Sequence, residues 1–273
     1  MSDGWVLAPA KVNLTLHVTG QRDDGYHVLD SLVMFADIGD RVRVTPAPQM
    51  GLTISGAFAG NIPDDARNLC WKAAEAFGET VQIELEKNLP AEAGIGGGSS
   101  DAAAVLRAMG ATFGRAFEGD PIVLGADVPV CCVAHAARMQ GIGEHVLPLS
   151  MKPIAAVLVN PGVAVSTPEV FRAMTHRNNP PMTDWPEGGG TPEALEWIAS
   201  QRNDMEAAAI ARQPVIAVAL AEIQRCADVQ VTRMSGSGAT CFGLFPNHAA
   251  AYNAATVLAE KHPGWWVRAV TLQ

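Results

Sequence analysis

Between Lys87 and Met109 the chain reads KNLPAEAGIGGGSSDAAAVLRAM. Gly94, Gly96, Gly97 and Gly98 cluster around Ile95, and Ser99, Ser100 and a run of helix formers follow. Clustered glycines cost backbone entropy that a plain turn ahead of a helix rarely needs. A dinucleotide fingerprint would need glycine where Ser99 stands and a first βαβ strand ahead of it. A Walker loop would end in Gly-Lys-Ser/Thr, which this one does not. A phosphate cradle fits better. Gly96, Gly97 and Gly98 let backbone N–H groups approach an anion, the helix start adds positive potential, and Ser99 and Ser100 offer hydroxyls. Asp101 suits the dipole of the first turn but would repel a phosphate, so it is expected to point sideways as a helix-end residue.

Asp127 is the best carboxylate for chemistry. It sits in IVLGADVPVCCV, among apolar residues where an unpaired acid is costly. It is either a helix cap after Gly125 or a working acid. Lys11, alone on an otherwise cleanly alternating strand, is its natural partner, with a solvated strand-end lysine as the plainer alternative.

The elements around these residues follow from periodicity. KVNLTLHVTG places Val12, Leu14, Leu16 and Val18 on one face and Asn13, Thr15 and His17 on the other, predicting a strand with one buried face. QRDDGYH is a turn. VLDSLVMFADIGDRVRVTPAP predicts two strands with a turn near Gly39-Asp40, and GLTISG another. Leu69, Ala73, Ala76 and Phe77 share a helical face with Gly78 as C-cap. TVQIELEKNLP returns to strand, and SSDAAAVLRAMG predicts a helix ending at Gly110. Beyond Pro153 come a buried strand (IAAVLVNPG), a short helix (STPEVFRAM) and a Pro/Gly-rich segment from Arg177 to Ala194, the candidate for a mobile loop. Two helices, the strands VQVTRM and TCFGLF joined by SGSGA, a helix and a last strand complete the chain. The mixture predicts an α+β fold divided near residue 150, into 1–150 and 151–273.

Composition bounds the function. A net charge of −9 without a basic run disfavours nucleic acid. The five cysteines form no C-x-x-C pair, which predicts reduced, mostly buried thiols in a cytoplasmic protein. No signal peptide is apparent, and the longest apolar stretch is too interrupted to span a bilayer.

LPAEAGIGGGSSDAAA resembles the second motif of the GHMP kinases, APAKVNLTLHVTG the first and MSGSGATCFGLF the third. The resemblance implies the two-domain fold of that superfamily: a ribosomal protein S5 domain 2-like N-terminal domain, a ferredoxin-like α/β sandwich C-terminal domain and an active site in the cleft between them. It implies ATP as donor, its phosphates wrapped by Gly94 to Ser100, with Asn68 and Lys87 near adenine and ribose. For each of those two, a solvated surface role is the alternative. It implies Asp127 as general base, supported by Lys11. Magnesium is expected with ATP; Ser99, Ser100 and Asp127 are conceivable contacts, and no ligand is assigned.

Within the superfamily, the turn made by Gly20, Arg22, Asp24, Gly25, Tyr26 and His27 resembles the branch whose acceptor alcohol carries a cytidine diphosphate group in non-mevalonate isoprenoid synthesis. Tyr26 would then stack on the cytosine and His27 would meet its edge. Thr167, Pro168 and Phe171 would form the opposite wall, Phe171 as the second ring. Asn13 would bind the acceptor's hydroxyls, and Gly236 and Gly238, in the third motif, would close the phosphate or acceptor site. A hairpin connection is the simpler reading of that last turn. The expected state is a monomer or weak homodimer with no membrane or nucleic-acid partner. The rivals are another small-molecule GHMP kinase, of homoserine or mevalonate type, and a non-catalytic nucleotide-binding protein.

Overall fold

The computed structural model describes residues 4–186 and 191–273. Its strands are β1 (Val6–Asn13), β2 (His17–Gln21), β3 (His27–Pro46), β4 (Gly51–Ser55), β5 (Val81–Glu86), β6 (Ala137–Gly141), β7 (His145–Pro148), β8 (Ile154–Asn160), β9 (Val231–Met234), β10 (Cys241–Phe245) and β11 (Trp266–Leu272). Its helices are α1 (Leu69–Phe77), α2 (Gly97–Phe113), α3 (Val128–Val133), α4 (Thr167–Ala173), α5 (Thr191–Ser200), α6 (Glu206–Arg212), α7 (Val215–Gln224) and α8 (His248–Lys261). The chain forms two compact units. One holds residues up to Lys11, 38–91 and 96–134; the other holds 12–37, 92–95 and 135–273.

In the first unit, β5 pairs antiparallel with the second half of β3 and parallel with β4. Val42, Ile83 and Leu85 from the strands pack with Phe77 of α1 and Val105 and Met109 of α2. Removing such apolar area from water is what drives this packing. No turn interrupts β3 at Gly39-Asp40, where two strands were expected; it runs unbroken for 20 residues. A Cβ on Gly39 would lie 2.1 Å from the Ala8 carbonyl oxygen, so glycine here permits close approach rather than a bend. Asp40 is buried, and its carboxylate accepts the backbone N–H groups of Asn88 and Leu89. Helix α2 also departs from expectation. It starts at Gly97, passes through Gly110 and ends at Gly114, with Phe113 of its last turn against Phe77 at a 6.1 Å ring separation. That contact carries the helix past the glycine expected to stop it.

In the second unit, β11, β8, β10 and β9 pair antiparallel in that order, and β11 meets the first half of β3. Val157, Val159, Ile223, Phe245, Leu258 and Val267 lie in its core. The expected long first strand is broken here into β1 and β2. Asn13, Thr15 and His17, placed by alternation on a solvent face, are all buried. Their polar atoms explain it. Asn13 donates to the Ser31 hydroxyl, the Thr15 hydroxyl accepts from Leu32 N–H, and His17 Nδ1 lies 3.2 Å from the Pro180 carbonyl. These hydrogen bonds offset much of the cost of burying the three side chains.

The expected mobile loop from Arg177 to Ala194 ends inside α5, which begins at Thr191, and residues 187–190 lie outside the described residues. Its described part, 177–186, is anchored. Asn179 donates to the Val18 carbonyl, Met182 N–H donates to Asp30, and Asp30 also holds Arg138.

Candidate active site

Helix α2 is preceded by its N-cap residue Gly96, which is left-handed at φ 63° and forms no side-chain cap. The first N–H groups of a helix have no intrahelical partner, so those of Gly97, Gly98 and Ser99 are free to bind an anion. Gly96 also lets the loop lie along Lys11: a Cβ there would stand 3.2 Å from the Lys11 Cβ and 3.3 Å from its Cε. Lys11 is buried, and its Nζ stands 2.8 Å from Asp127 Oδ2. Asp127 occupies the N-cap position of α3 yet makes no capping bond. Its side chain is 33% exposed, so the pair is open to a ligand on the acid's side. The solvated-lysine and helix-cap alternatives both give way to this ion pair. Arg107 fixes the surroundings by donating to the carbonyls of Cys131 and Leu7.

Three residues expected at the nucleotide are engaged elsewhere. Ser100 is fully buried and its hydroxyl donates to the Pro9 carbonyl, so its proton is turned away from the loop. Asn68 caps α1, accepting from Cys70 N–H and donating to the Pro63 carbonyl. Lys87 is neither solvated nor free. Its ammonium bridges Asp40 and Asp101 in a buried cluster. Asp101 accordingly points inward instead of sideways. Of the residues expected at the nucleotide, Ser99 keeps a half-buried position at the loop.

In the second unit, Gly94 and Ile95 lead into the same loop. A Cβ on Gly94, at φ 72°, would fall 2.5 Å from the Ser235 carbonyl oxygen and 2.7 Å from that of Gly238. The first glycine is thus pressed against the Ser235–Ala239 turn that joins β9 to β10. Ser235 hydroxyl donates to the Gly94 carbonyl and accepts from Asn13 N–H. Asn203 donates to the carbonyls of Met234 and Gly236, and Ser237 shares a 2.7 Å hydrogen bond with Thr167 at the start of α4. The turn is therefore more than a hairpin connection: it gathers Asn13, Gly94 and Thr167. Asn13 Oδ1 is buried without a hydrogen-bond partner.

The ring residues are arranged differently from two facing walls. His27 and Phe171 stack directly on each other, with centroids 4.0 Å apart and planes 8° from parallel. At van der Waals separation no base fits between them. Pro168 is the exposed second residue of α4, and Tyr26, 57% exposed, is the ring left uncovered. His27 Nε2 is buried and unpartnered. Burial, then the nearby Arg177, lowers the His27 pKa and keeps the ring neutral, with one nitrogen able to accept a proton bond.

Sequence reasoning missed Asp40, Ser235, Ser237 and Asn203. Asp40 left one signal, an acid inside the apolar alternation of IGDRVRV. Asn203 left none, because its role depends on carbonyls more than thirty positions away.

Residues 68–134 match the family model described as the GHMP kinases N terminal domain, and 192–264 match the GHMP kinases C terminal model. An uncapped glycine loop beside a Lys–Asp pair, on that pair of domains, defines the class of the GHMP kinases. A 4-diphosphocytidyl-2-C-methyl-D-erythritol kinase of Dinoroseobacter shibae is 55% identical over 98% of this chain and 94% of its own length. One of Cereibacter sphaeroides is 51% identical over 96% of each. A crystal structure of 4-(cytidine 5'-diphospho)-2C-methyl-D-erythritol kinase aligns at 35% identity with a TM-score of 0.79, covering 98% of both chains. The chain belongs to the 4-diphosphocytidyl-2-C-methyl-D-erythritol kinase family of the GHMP kinases.

Proposed function

We propose that this chain transfers the γ-phosphoryl group of ATP to the 2-hydroxyl of 4-diphosphocytidyl-2-C-methyl-D-erythritol, giving the 2-phosphate and ADP in the non-mevalonate route to isopentenyl diphosphate. Near-full-length identity to relatives bearing that name supports the acceptor. The observation that carries the chemistry is the Lys11–Asp127 pair beside the open N–H groups of α2.

Phosphoryl transfer asks a protein mainly for positioning and charge stabilisation. The N–H groups of Gly97, Gly98 and Ser99 bind and orient the donor's phosphates. Asp127 accepts the proton of the attacking hydroxyl, and Lys11 holds that carboxylate in place. Tyr26 stacks on the cytosine from its exposed position. His27 Nε2 meets the base edge, and Phe171 braces the imidazole from behind. Asn13 Oδ1, otherwise unpartnered, takes a hydroxyl of the acceptor.

Magnesium fits these residues without a dedicated cage. Among the described residues no group of three or more His, Cys, Asp or Glu gathers to hold a metal. In kinases the ion arrives on substrate phosphates and needs one or two protein oxygens. Asp127, partly exposed, and Ser99 would hold it, whereas the Ser100 hydroxyl is committed to Pro9. When bound, the ion neutralises charge on the phosphoryl oxygens. Among the described residues no helix is long and apolar enough to cross a membrane.

ADP release from purified protein, with ATP and each acceptor in turn, tests the proposal. Turnover is expected with the cytidyl acceptor. Turnover with homoserine or mevalonate instead would move the chain to another acceptor class. Nucleotide binding without turnover on any of them would leave a binding protein.

A further inference from the structure

Asn13, at the end of β1, is only 1% exposed and belongs to the same unit as Ser31 of β3 and the Ser235–Ala239 turn. It is held at two points. Its backbone N–H donates to Ser235 Oγ at 3.0 Å, and that hydroxyl donates in turn to the Gly94 carbonyl. Its side-chain Nδ2 donates to Ser31 Oγ at 2.8 Å. The other end of the amide, Oδ1, is buried with no hydrogen-bond partner. A Cβ on Gly236 would stand 3.4 Å from Oδ1, so a side chain at that point of the turn would crowd the oxygen. A buried polar atom left unpaired is uncommon and calls for a reason.

An amide turned over keeps its shape but exchanges donor for acceptor. Ser31 removes that freedom. Its Oγ lies 2.5 Å from the Thr15 carbonyl oxygen. A carbonyl can only accept, so the single hydroxyl proton of Ser31 must lie between these two oxygens. Ser31 then offers Asn13 nothing but lone pairs, and only Nδ2 can meet them. With the amide turned over, Oδ1 would face a lone pair where the 2.8 Å hydrogen bond now stands. Ser31 and Thr15 are both fully buried, so solvent cannot relieve such a clash. Thr15 is fixed as well, because its hydroxyl accepts from the N–H of Leu32, the next residue of β3. The relay from Thr15 through Ser31 to Asn13 therefore sets which atom of the amide is left over.

We propose that Ser31 is a positioning residue for acceptor specificity: by engaging the Asn13 amide nitrogen it fixes Oδ1 as the atom presented to the acceptor, so that the site demands a hydroxyl able to donate beside the reacting one. Ser31 touches no substrate atom; it acts through Asn13. In 4-diphosphocytidyl-2-C-methyl-D-erythritol the 1- and 3-hydroxyls flank the 2-hydroxyl, and one of them supplies the proton that Oδ1 lacks. A hydrogen in its place leaves Oδ1 unpaired, and an ether or carbonyl sets two acceptors against each other. A site built to hydrogen-bond a hydroxyl rejects an analogue without it far more strongly than an apolar pocket would. This proposal rests on the kinase reading and its cytidyl acceptor.

Steady-state kinetics of wild type and Ser31→Ala, on the full acceptor and on its 1-deoxy and 3-deoxy analogues, test it. In wild type one of the two analogues should lose about 10²-fold or more in kcat/KM. In Ser31→Ala the amide is free to turn. The full acceptor should then lose about tenfold, mostly in KM, the order of one hydrogen bond. The preference for it over that analogue should shrink by at least about tenfold, while the KM for ATP stays within about twofold. A merely structural loss would lower both acceptors alike and leave the preference as it was. Equal preferences in the two proteins overturn the proposal, as does a wild type that uses both deoxy analogues as well as the full acceptor. Should Ser31→Ala fail to fold, neutron diffraction of wild-type crystals answers the same question. The Asn13 amide deuterons should lie on the atom facing Ser31, and the Ser31 deuteron should point to the Thr15 carbonyl; an amide turned the other way overturns the proposal. Turnover with an unchanged preference removes this inference alone, whereas no turnover of the full acceptor by wild type removes the kinase reading and the inference with it.

Discussion

At the residue scale the proposed chemistry rests on one ion pair and what stands around it. Lys11 is buried and Asp127 is partly open, so the lysine is fixed and the acid is available. Replacing Asp127 by Asn removes the proposed proton acceptor and keeps the shape. The expected result is a kcat lower by about 10²–10⁴-fold, the usual span for general-base loss, with a much smaller change in ATP affinity. Lys11→Met should fall in the same direction, since it leaves the acid without its partner. Steady-state kinetics with a parallel nucleotide-binding titration would check both, and near-wild-type kcat in Asp127→Asn would end the general-base assignment. This pair was legible in the sequence, because an acid and a lysine each stood out against apolar surroundings. Lys87 was not. A lysine closing a strand reads as solvated, and the two acids that bury it lie 47 and 14 positions away. The stacking of His27 on Phe171 was equally hidden: the family resemblance nominated both rings but could not say that they would meet each other.

Elements place those residues, and their ends were easier to read than their interiors. The Gly78 cap of α1 and the strand β5 emerge from local pattern alone. The Gly39-Asp40 step misled, because glycine and aspartate favour a turn locally while here they serve a neighbour's backbone and two N–H donors. Gly110 misled in the same way, being kept helical by the Phe77–Phe113 contact beyond it. Gly94 and Gly114 separate backbone freedom from close approach. Both have positive φ, but a Cβ on Gly114 meets nothing within 4 Å, whereas one on Gly94 runs into two carbonyl oxygens. Gly114→Ala should cost about 1–2 kcal/mol, the left-handed penalty alone. Gly94→Ala should cost more and should also weaken ATP binding, because the loop must move off the Ser235–Ala239 turn. Thermal melts of the two variants beside nucleotide titrations would check this; equal losses of stability with unchanged ATP affinity would show that the contact does not set the loop.

For the whole molecule, the buried titratable groups set how stability varies with pH. Asp101 is raised from 3.8 to about 8, so between those values the folded chain holds a proton that the unfolded chain has released. Its contribution is fully present below about pH 4 and is lost as pH rises through about 8. His17 and His27 act oppositely. Burial, then Arg202 for His17 and Arg177 for His27, lowers each from 6.5, so their stabilisation is present above 6.5 and lost as pH falls below it. Below 6.5 the imidazoles and Asp101 pull in opposite directions. Above 6.5 only Asp101 still slopes, downward. Lys87 and the buried thiols are raised from 10.5 and 9.0, so their losses begin beyond this range. Stability should therefore fall as pH rises from 6.5 through about 8. Urea midpoints at about pH 6.5 and 8.5 would check it, with the higher expected at 6.5. Asp101→Asn should flatten that fall, because the limb belongs to this residue. A midpoint that climbs from pH 6.5 to 8.5 in wild type would mean that Asp101 is ionised throughout, and that Lys87 holds both carboxylates as anions beneath the loop.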